Sequence, residues 1–532
     1  MAAAEGTDVV IIGGGISGLV TALELVRAGR RVTVLEGDGR DRFGGQARDA
    51  FGGWFFVDSP EQRRARVKDS PEMAWEDWRS YAEYGPGSET QQHWGKKYVE
   101  RCVPDVREFL ENLGLSFFPT ANWAERAHAG KGNRVPRFHI MWGCGPAVVS
   151  GVRQAIEPFE GGRLDLRFEH RVEEILSEGG RVVGVRGTDD TGNDFEVRAD
   201  ATVIASGGFT GNIDKIREHW PTDAWHQVPE DLLIGVWETS DGAMHDRAVE
   251  LGAALTNMEN MWVYVAGVTN WAGDHDRHGL SLIPMKSALW MRGDGRRFDP
   301  PLLAGYDTRD AVSRVMQSGY THSWAVLNRA ILAKELAVQG ATHNPNFRTR
   351  NLPGIAKDIL LGQTKIPQSL VDRCPDVVTA SSLEELARRM ESVTPGVRID
   401  TAGMAQDVRS YDAEIKASSS LYTDDQLVSL RAVRAFPADK MRTKAFHPIE
   451  DGKGELVAIR MRPNVRKSLG GIHTDESCAA LDTAGRPIEG LHAVGESTGF
   501  GGGGMHGKRT LEGTLLGGCI LTARTLAAHL AH

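Results

Sequence analysis

Six residues near the start of the chain have the types and spacing to hold a phosphate. Gly13-Gly-Gly15-Ile16-Ser17-Gly18 follows the short apolar run Asp8–Ile12 and opens LVTALELVRAG, whose apolar residues recur at helical period. A second apolar run, Arg31-Val-Thr-Val-Leu, ends at Glu36-Gly37, with the acid 18 residues beyond Gly18. Gly13 suits a tight turn, Gly15 lets backbone approach a pyrophosphate at the helix N-terminus, and Gly18 lets helix and strand pack closely. Glu36 can accept the hydroxyls of a ribose. A lone glycine fingerprint is weak, but two flanking strands and the acid make this one a dinucleotide-binding unit.

Further glycine clusters lie far along the chain. Phe43 to Gly53 carries Gly44, Gly45, Gln46, Gly52 and Gly53. Glu169 to Gly187, which includes Val172, reads as two strands around a Gly179-Gly180 turn. It leads to a buried strand ending Ala205-Ser206-Gly207-Gly208. Near the end, Gly490-Leu-His-Ala-Val-Gly495-Glu496 is another strand ending in glycine and acid, followed by a glycine-rich loop and a helix from Leu511 to His529. Gly499-Phe-Gly501-Gly-Gly-Gly504 also matches the fingerprint formally. It lacks the strand–helix–strand context, so it reads as a loop and not as a second nucleotide site.

The composition fits these clusters. The 532 residues include 62 glycines, about 12% against a usual ~7%, with no collagen period. Hydrophobic residues at 41% and charged residues at 25% are globular values, and the length allows two to four domains. A net charge of -9 speaks against a nucleic-acid binder. The five cysteines are scattered, without zinc, haem or iron–sulfur spacing, so no metal is expected and a reducing compartment is. No apolar run is long enough to span a membrane, and MAAAEGTD lacks a basic leader region. The expectation is a cytoplasmic protein.

In order and type, these blocks resemble the fumarate reductase/succinate dehydrogenase flavoprotein family, which also holds the 3-ketosteroid Δ1-dehydrogenases. The resemblance covers about residues 8–265 and 450–530. It implies an α/β Rossmann-like FAD-binding domain of glutathione-reductase type, with an inserted α+β domain capping the substrate. The expected division is 1–255 and 446–532 for the FAD-binding domain and 256–445 for the cap. By resemblance, Gly13, Gly15 and Gly18, with Ile16 and Ser17, hold the FAD pyrophosphate, Glu36 and Gly37 the adenosine ribose, and the Val172 backbone the adenine. Gly44, Gly45, Gln46, Gly52 and Gly53 line the ribityl and flavin side. Ala205, Ser206, Gly207 and Gly208 form a small-residue turn, and Gly495 and Glu496 an acidic FAD contact. The helix entered at Gly513-Thr514-Leu515 aims its N-terminus at the flavin, where its dipole favours the reduced anion. Family members with covalent flavin use a His near the second Gly-Gly pair; here no His precedes His93, so non-covalent FAD is expected.

The substrate side is less regular. After Asp294-Gly-Arg-Arg-Phe298, family members carry a catalytic residue at the start of a helix, Arg in fumarate reductases and Tyr in ketosteroid dehydrogenases. Both Arg309 and Tyr306 stand near that place. Lys467 stands where fumarate reductases have a carboxylate-gripping His. In His506-Gly-Lys-Arg509-Thr510-Leu-Glu-Gly513, Thr510 replaces a clamping Arg, and Arg509 matches a Tyr that bonds a ketone oxygen. Pro284 replaces another Arg. A dicarboxylate needs paired bidentate cations, so succinate and fumarate are not expected substrates.

The resemblance therefore implies an FAD-dependent dehydrogenase of a CH–CH bond beside a carbonyl, in a cyclic ketone such as a steroid, polyketide or terpenoid. Hydride would pass to flavin N5, Tyr306 or Arg309 would handle the α-proton, and Arg509 and the Gly513 amide would hold the oxygen, with His506 and Lys467 nearby. The alternatives are the reverse, an ene-reductase on an activated C=C bond, and a flavin-holding protein without activity. Electrons would leave to a separate acceptor: a quinone, a carrier or dioxygen. The loop-rich 341–375 stretch, with its prolines and asparagines, reads as surface or lid.

Overall fold

Val9, Val10 and Ile11 are fully buried, as in a parallel strand covered on both faces. The computed structural model describes residues 5–126, 130–273, 275–303, 305–417, 419–434, 445–452 and 454–531. The strand Glu5–Ile12 lies at the centre of its first sheet. Val32–Leu35 runs parallel on one side, Val9 opposite Val32, and Asp194–Ile204 on the other, Val10 opposite Thr202. Leu164–Arg167 extends the parallel array beyond the first, and Pro487–Ala493 beyond the second. The strands His170–Glu178 and Arg181–Asp189 form the expected hairpin, with φ of 60° and 85° at Gly179 and Gly180. Left-handed backbone at both central residues is what a tight two-residue hairpin turn requires. The helices Ile16–Arg27 and Thr514–Leu530 pack against each other. The last helix starts at Thr514, not Leu511, because Gly513 caps it with a φ of 94°.

This sheet belongs to one of two compact units. The first comprises 1–219, 237–262 and 467–532, the second 220–236 and 263–466. The second therefore begins near the anticipated 256 but runs past 445, and it also takes in 220–236. Strand pairing explains both differences. Leu456–Ser468 is antiparallel to Ser323–Asn328 and to Val377–Ala380, and Leu233–Ile234 pairs with it in parallel. Asp376 locks this second sheet. Its carboxylate, fully buried, receives Arg460 Nη2 at 2.6 Å, Arg462 Nη2 at 2.7 Å and the Thr269 amide at 2.7 Å. Burial pushes its pKa up, but the two guanidiniums and the amide outweigh that and leave it lowered.

The stretch 341–375 is helical where its prolines suggested loop. Pro345–Arg348, Leu352–Leu361 and Lys365–Arg373 are helices. In the first two, the proline lies in the opening turn, where no intrahelical N–H is required of it.

Candidate active site

The glycine fingerprint builds a backbone cradle. Gly13 has a φ of 108°, and a Cβ on it would lie 2.6 Å from the Ala205 carbonyl oxygen. A Cβ on Gly18 would lie 2.1 Å from the Gly13 oxygen, so the turn closes only with glycine at both places. Gly15 precedes the helix Ile16–Arg27 and has no side chain to cap it, so it leaves the amides of the first turn without a cap bond. Gly44 bridges to Gly15, donating its N–H to the Gly14 oxygen at 3.1 Å. The turn Gly44-Gly45-Gln46 therefore lies against the fingerprint. Gly52 and Gly53 follow close by, with Gly53 opening the short strand Gly53–Phe55.

Glu36 sits at the adjoining strand end. Its carboxylate accepts the Gly14 N–H at 2.7 Å and the Asp38 N–H at 2.9 Å. Burial raises its pKa, and these amides partly offset the rise. The Glu36 carbonyl oxygen receives the His170 N–H at 2.9 Å, and Gly37 lies beside the Arg171 backbone, so the strand carrying Val172 leaves from the same point. Ala205 N–H bonds the Ile12 oxygen at 2.9 Å, placing Ser206, Gly207 and Gly208 at the end of the next strand.

A chain of side chains leads away from Gln46. Its amide nitrogen donates to Ser240 Oγ, and its oxygen accepts Lys467 Nζ at 2.5 Å. Lys467 Nζ is also 3.2 Å from Glu496 Oε2, and Glu496 Oε1 accepts the Ser468 N–H at 3.1 Å. A Cβ on Gly208 would lie 2.5 Å from Glu496 Oε1. Gln46, Gly208 and the Lys467–Glu496 pair, drawn from three distant stretches of the chain, thus form one cluster. Ser240 belongs to it and was not anticipated; nothing in Thr239-Ser-Asp-Gly signals a partner nearly 200 residues away.

The loop 495–514 is held from within. His506 is fully buried, stacked on Trp78 at 5.3 Å and edge-on to Phe500 at 5.3 Å. Its Nε2 lies 2.9 Å from Thr514 Oγ1, which lies 2.8 Å from Thr510 Oγ1. Burial pushes the His506 pKa down to about 3, so it is neutral at ordinary pH. The Met505 carbonyl receives Trp78 Nε1 at 3.2 Å and the Tyr84 hydroxyl. Around 501–504 the glycines face Trp94, Thr256 and Asn257; they serve close packing, consistent with a loop and not a second nucleotide site.

Arg509 pairs with Glu83 at 2.7 Å, its guanidinium 6.0 Å from the Tyr81 ring centroid. Burial raises the Glu83 pKa, but bonds from Lys131 and Arg509 outweigh it and leave it lowered. Glu83 ends the helix Pro71–Ala82 and carried no signal of this role in the sequence. Gly513 caps the last helix without a side-chain cap, and its oxygen accepts the Phe55 N–H at 2.9 Å. The first-turn residues Thr514 and Leu515 thus stand beside the Gly53–Phe55 strand.

In the second unit, Tyr306 and Arg309 flank the start of the helix Thr308–Gln317, which Asp307 caps through the Asp310 N–H at 3.0 Å. The Arg309 guanidinium lies 4.8 Å from the Trp225 ring centroid. Among the described residues no group of His, Cys, Asp and Glu gathers to hold a metal.

The cradle fits FAD. Uncapped amides open the Gly15 helix, a glycine turn lies over them, and the half-buried Glu36 carboxylate stands at the end of the adjoining strand, within reach of the turn. Comparisons with known proteins agree. A KsdD-like steroid dehydrogenase of Mycobacterium tuberculosis is 40% identical over 98% of this chain and 95% of its own. One from Mycolicibacterium smegmatis is 38% identical over 96% of each. The solved 3-ketosteroid Δ1-dehydrogenase of Sterolibacterium denitrificans superposes with a TM-score of 0.72 at 17% identity, over 99% of both chains. Residues 8–516 match the family described as FAD binding domain. Cradle, sheet and relatives together make the chain a member of that family, an FAD-dependent oxidoreductase acting on CH–CH groups.

Proposed function

We propose that the protein desaturates the CH–CH bond beside the ketone of a steroid-type substrate, giving an α,β-unsaturated ketone. The observation that carries this reading is the end-to-end likeness to KsdD-like steroid dehydrogenases. FAD, held without a covalent link, supplies the hydride acceptor at N5. The chain's own residues do the rest. Removing the α-proton needs a base, and holding the developing enolate oxygen needs donors, each worth roughly 10²–10³ in rate. Arg309, over the Trp225 ring, stays cationic, since a guanidinium does not give up its proton in proteins. Tyr306, just before the helix that carries Arg309, therefore takes the proton. The Gly513 N–H holds the oxygen at the start of the last helix, where the dipole favours negative charge, with Arg509 of the same loop as a second donor. Lys467 fixes Gln46 and Glu496 beside the cradle. Neutral His506 orients Thr514 and does not exchange protons near pH 7.

Thr510 supports the choice of a ketone over a dicarboxylate. Its hydroxyl is engaged with Thr514 and offers no bidentate cation. The same groups run in reverse would reduce an activated C=C bond, the reading that the fumarate reductase relatives favour. The electron acceptor is a separate quinone, carrier or dioxygen, and the five buried, scattered cysteines suit the cytoplasm. The test is turnover of a ketosteroid panel with an artificial acceptor, with products weighed by mass spectrometry. Loss of two hydrogens next to the ketone supports the reading. Fumarate reduction without any reaction of ketosteroids overturns it.

A further inference from the structure

The helix Leu352–Leu361 turns its apolar side outward. Leu352, Leu360 and Leu361 are 55%, 71% and 71% exposed, whereas Ile355 is buried at 7%. Leu352, Ala356 and Leu360 are spaced four apart and all exposed, so they form one outward stripe. A surface helix ordinarily buries such a stripe. The stripe is also fixed in place: Lys334 Nζ donates to the Leu360 oxygen at 2.7 Å, and the Gln363 N–H to the Ala333 oxygen at 2.8 Å.

Charge indicates what covers the stripe. Between 345 and 368 the charged residues are Arg348, Arg350, Lys357 and Lys365 against one acid, Asp358, in a chain of net charge -9. All four cations are exposed, while Asp358 is half-buried and accepts the Asn346 amide at 2.7 Å. Exposed leucines ringed by cations, with the lone acid turned aside, match a bilayer surface carrying anionic headgroups. The helix is ten residues, about 15 Å long, far too short to span ~30 Å of hydrocarbon. Among the described residues no other helix is long and apolar enough to cross a membrane either.

We propose that this face rests on an anionic lipid surface, with Leu352, Leu360 and Leu361 entering the headgroup boundary and Arg348, Arg350, Lys357 and Lys365 contacting phosphates. The inference does not depend on the proposed reaction.

The test is co-sedimentation of the FAD-loaded protein with phosphatidylcholine vesicles, plain or with roughly one-third phosphatidylglycerol. The expected result is binding to the anionic vesicles that weakens with salt. It should fall about tenfold or more in the double variant Leu360→Ser/Leu361→Ser, and likewise in Lys357→Glu/Lys365→Glu. All these positions are exposed, so unfolding midpoints should match the parent; if one variant does not fold, the other decides. Absence of binding to anionic vesicles, or equal binding by parent and variants, overturns the proposal. So does a parent dimer that the leucine variant dissociates without any vesicle binding, which would make the face a contact between copies of the chain.

Discussion

The nucleotide cradle and the loop 495–514 both depend on glycine, but for different reasons. In the cradle the constraint is local: Gly13 and Gly18 are required by contacts within a single strand–turn–helix, apart from the Ala205 oxygen. In the loop, glycines make room for distant side chains such as Trp94, and polar positions are set by partners far away in sequence, including Glu83 for Arg509 and Trp78 for His506. A site built on backbone tolerates change around it as long as the turn survives. A site built on long-range side-chain contacts can be retuned one residue at a time without disturbing the cofactor.

That contrast can be broken from the cradle side with the largest effect. Gly13→Val places a branched side chain at a φ of 108° and a Cβ 2.6 Å from the Ala205 oxygen. Backbone strain alone costs about 1–3 kcal/mol, and the clash adds to it. The purified variant should have lost most of its FAD and unfold at a lower temperature; FAD content equal to the parent's would show that the turn is not the cradle.

The loop should respond in the opposite way. Arg509→Ala should leave FAD content unchanged and slow anaerobic flavin reduction by ~10² or more, as loss of a donor at a developing oxyanion does. Loss of FAD would move Arg509 to the cofactor side. An unchanged rate would leave it as the structural partner of Glu83.

The smallest effect concerns acid stability. His506 holds its proton only below about pH 3 when folded, against ~6.5 when unfolded. Below ~6.5 the unfolded chain binds a proton that the folded one refuses, so this residue's contribution to stability is full above that pH and declines as pH falls towards 3. His506→Gln should reduce the acid slope of stability by up to about 1.4 kcal/mol per pH unit, read from denaturant unfolding between pH 6.5 and 4. An unchanged slope would mean the imidazole is not held neutral.

The same contrast explains what could be read from the chain alone. The strand–turn–helix built on Gly13, Gly15 and Gly18 was legible because its spacing is imposed by one supersecondary unit. The parallel strands were legible as continuous apolar runs, and the Gly179-Gly180 hairpin from its turn chemistry. The extent of the second unit was not, because Leu456–Ser468 joins its sheet through pairings with strands more than 70 residues earlier. Nor were Ser240 and Glu83, whose roles exist only through tertiary partners. The helices within 341–375 were missed because proline was weighed as a breaker, when in the opening turn it is compatible with a helix.

The most direct measurement is anaerobic mixing of the oxidised FAD-loaded protein with a 3-ketosteroid and, separately, with succinate, following the flavin absorbance. Bleaching by the ketosteroid and none by succinate is the predicted result. Bleaching by succinate with no response to any ketosteroid would contradict the account.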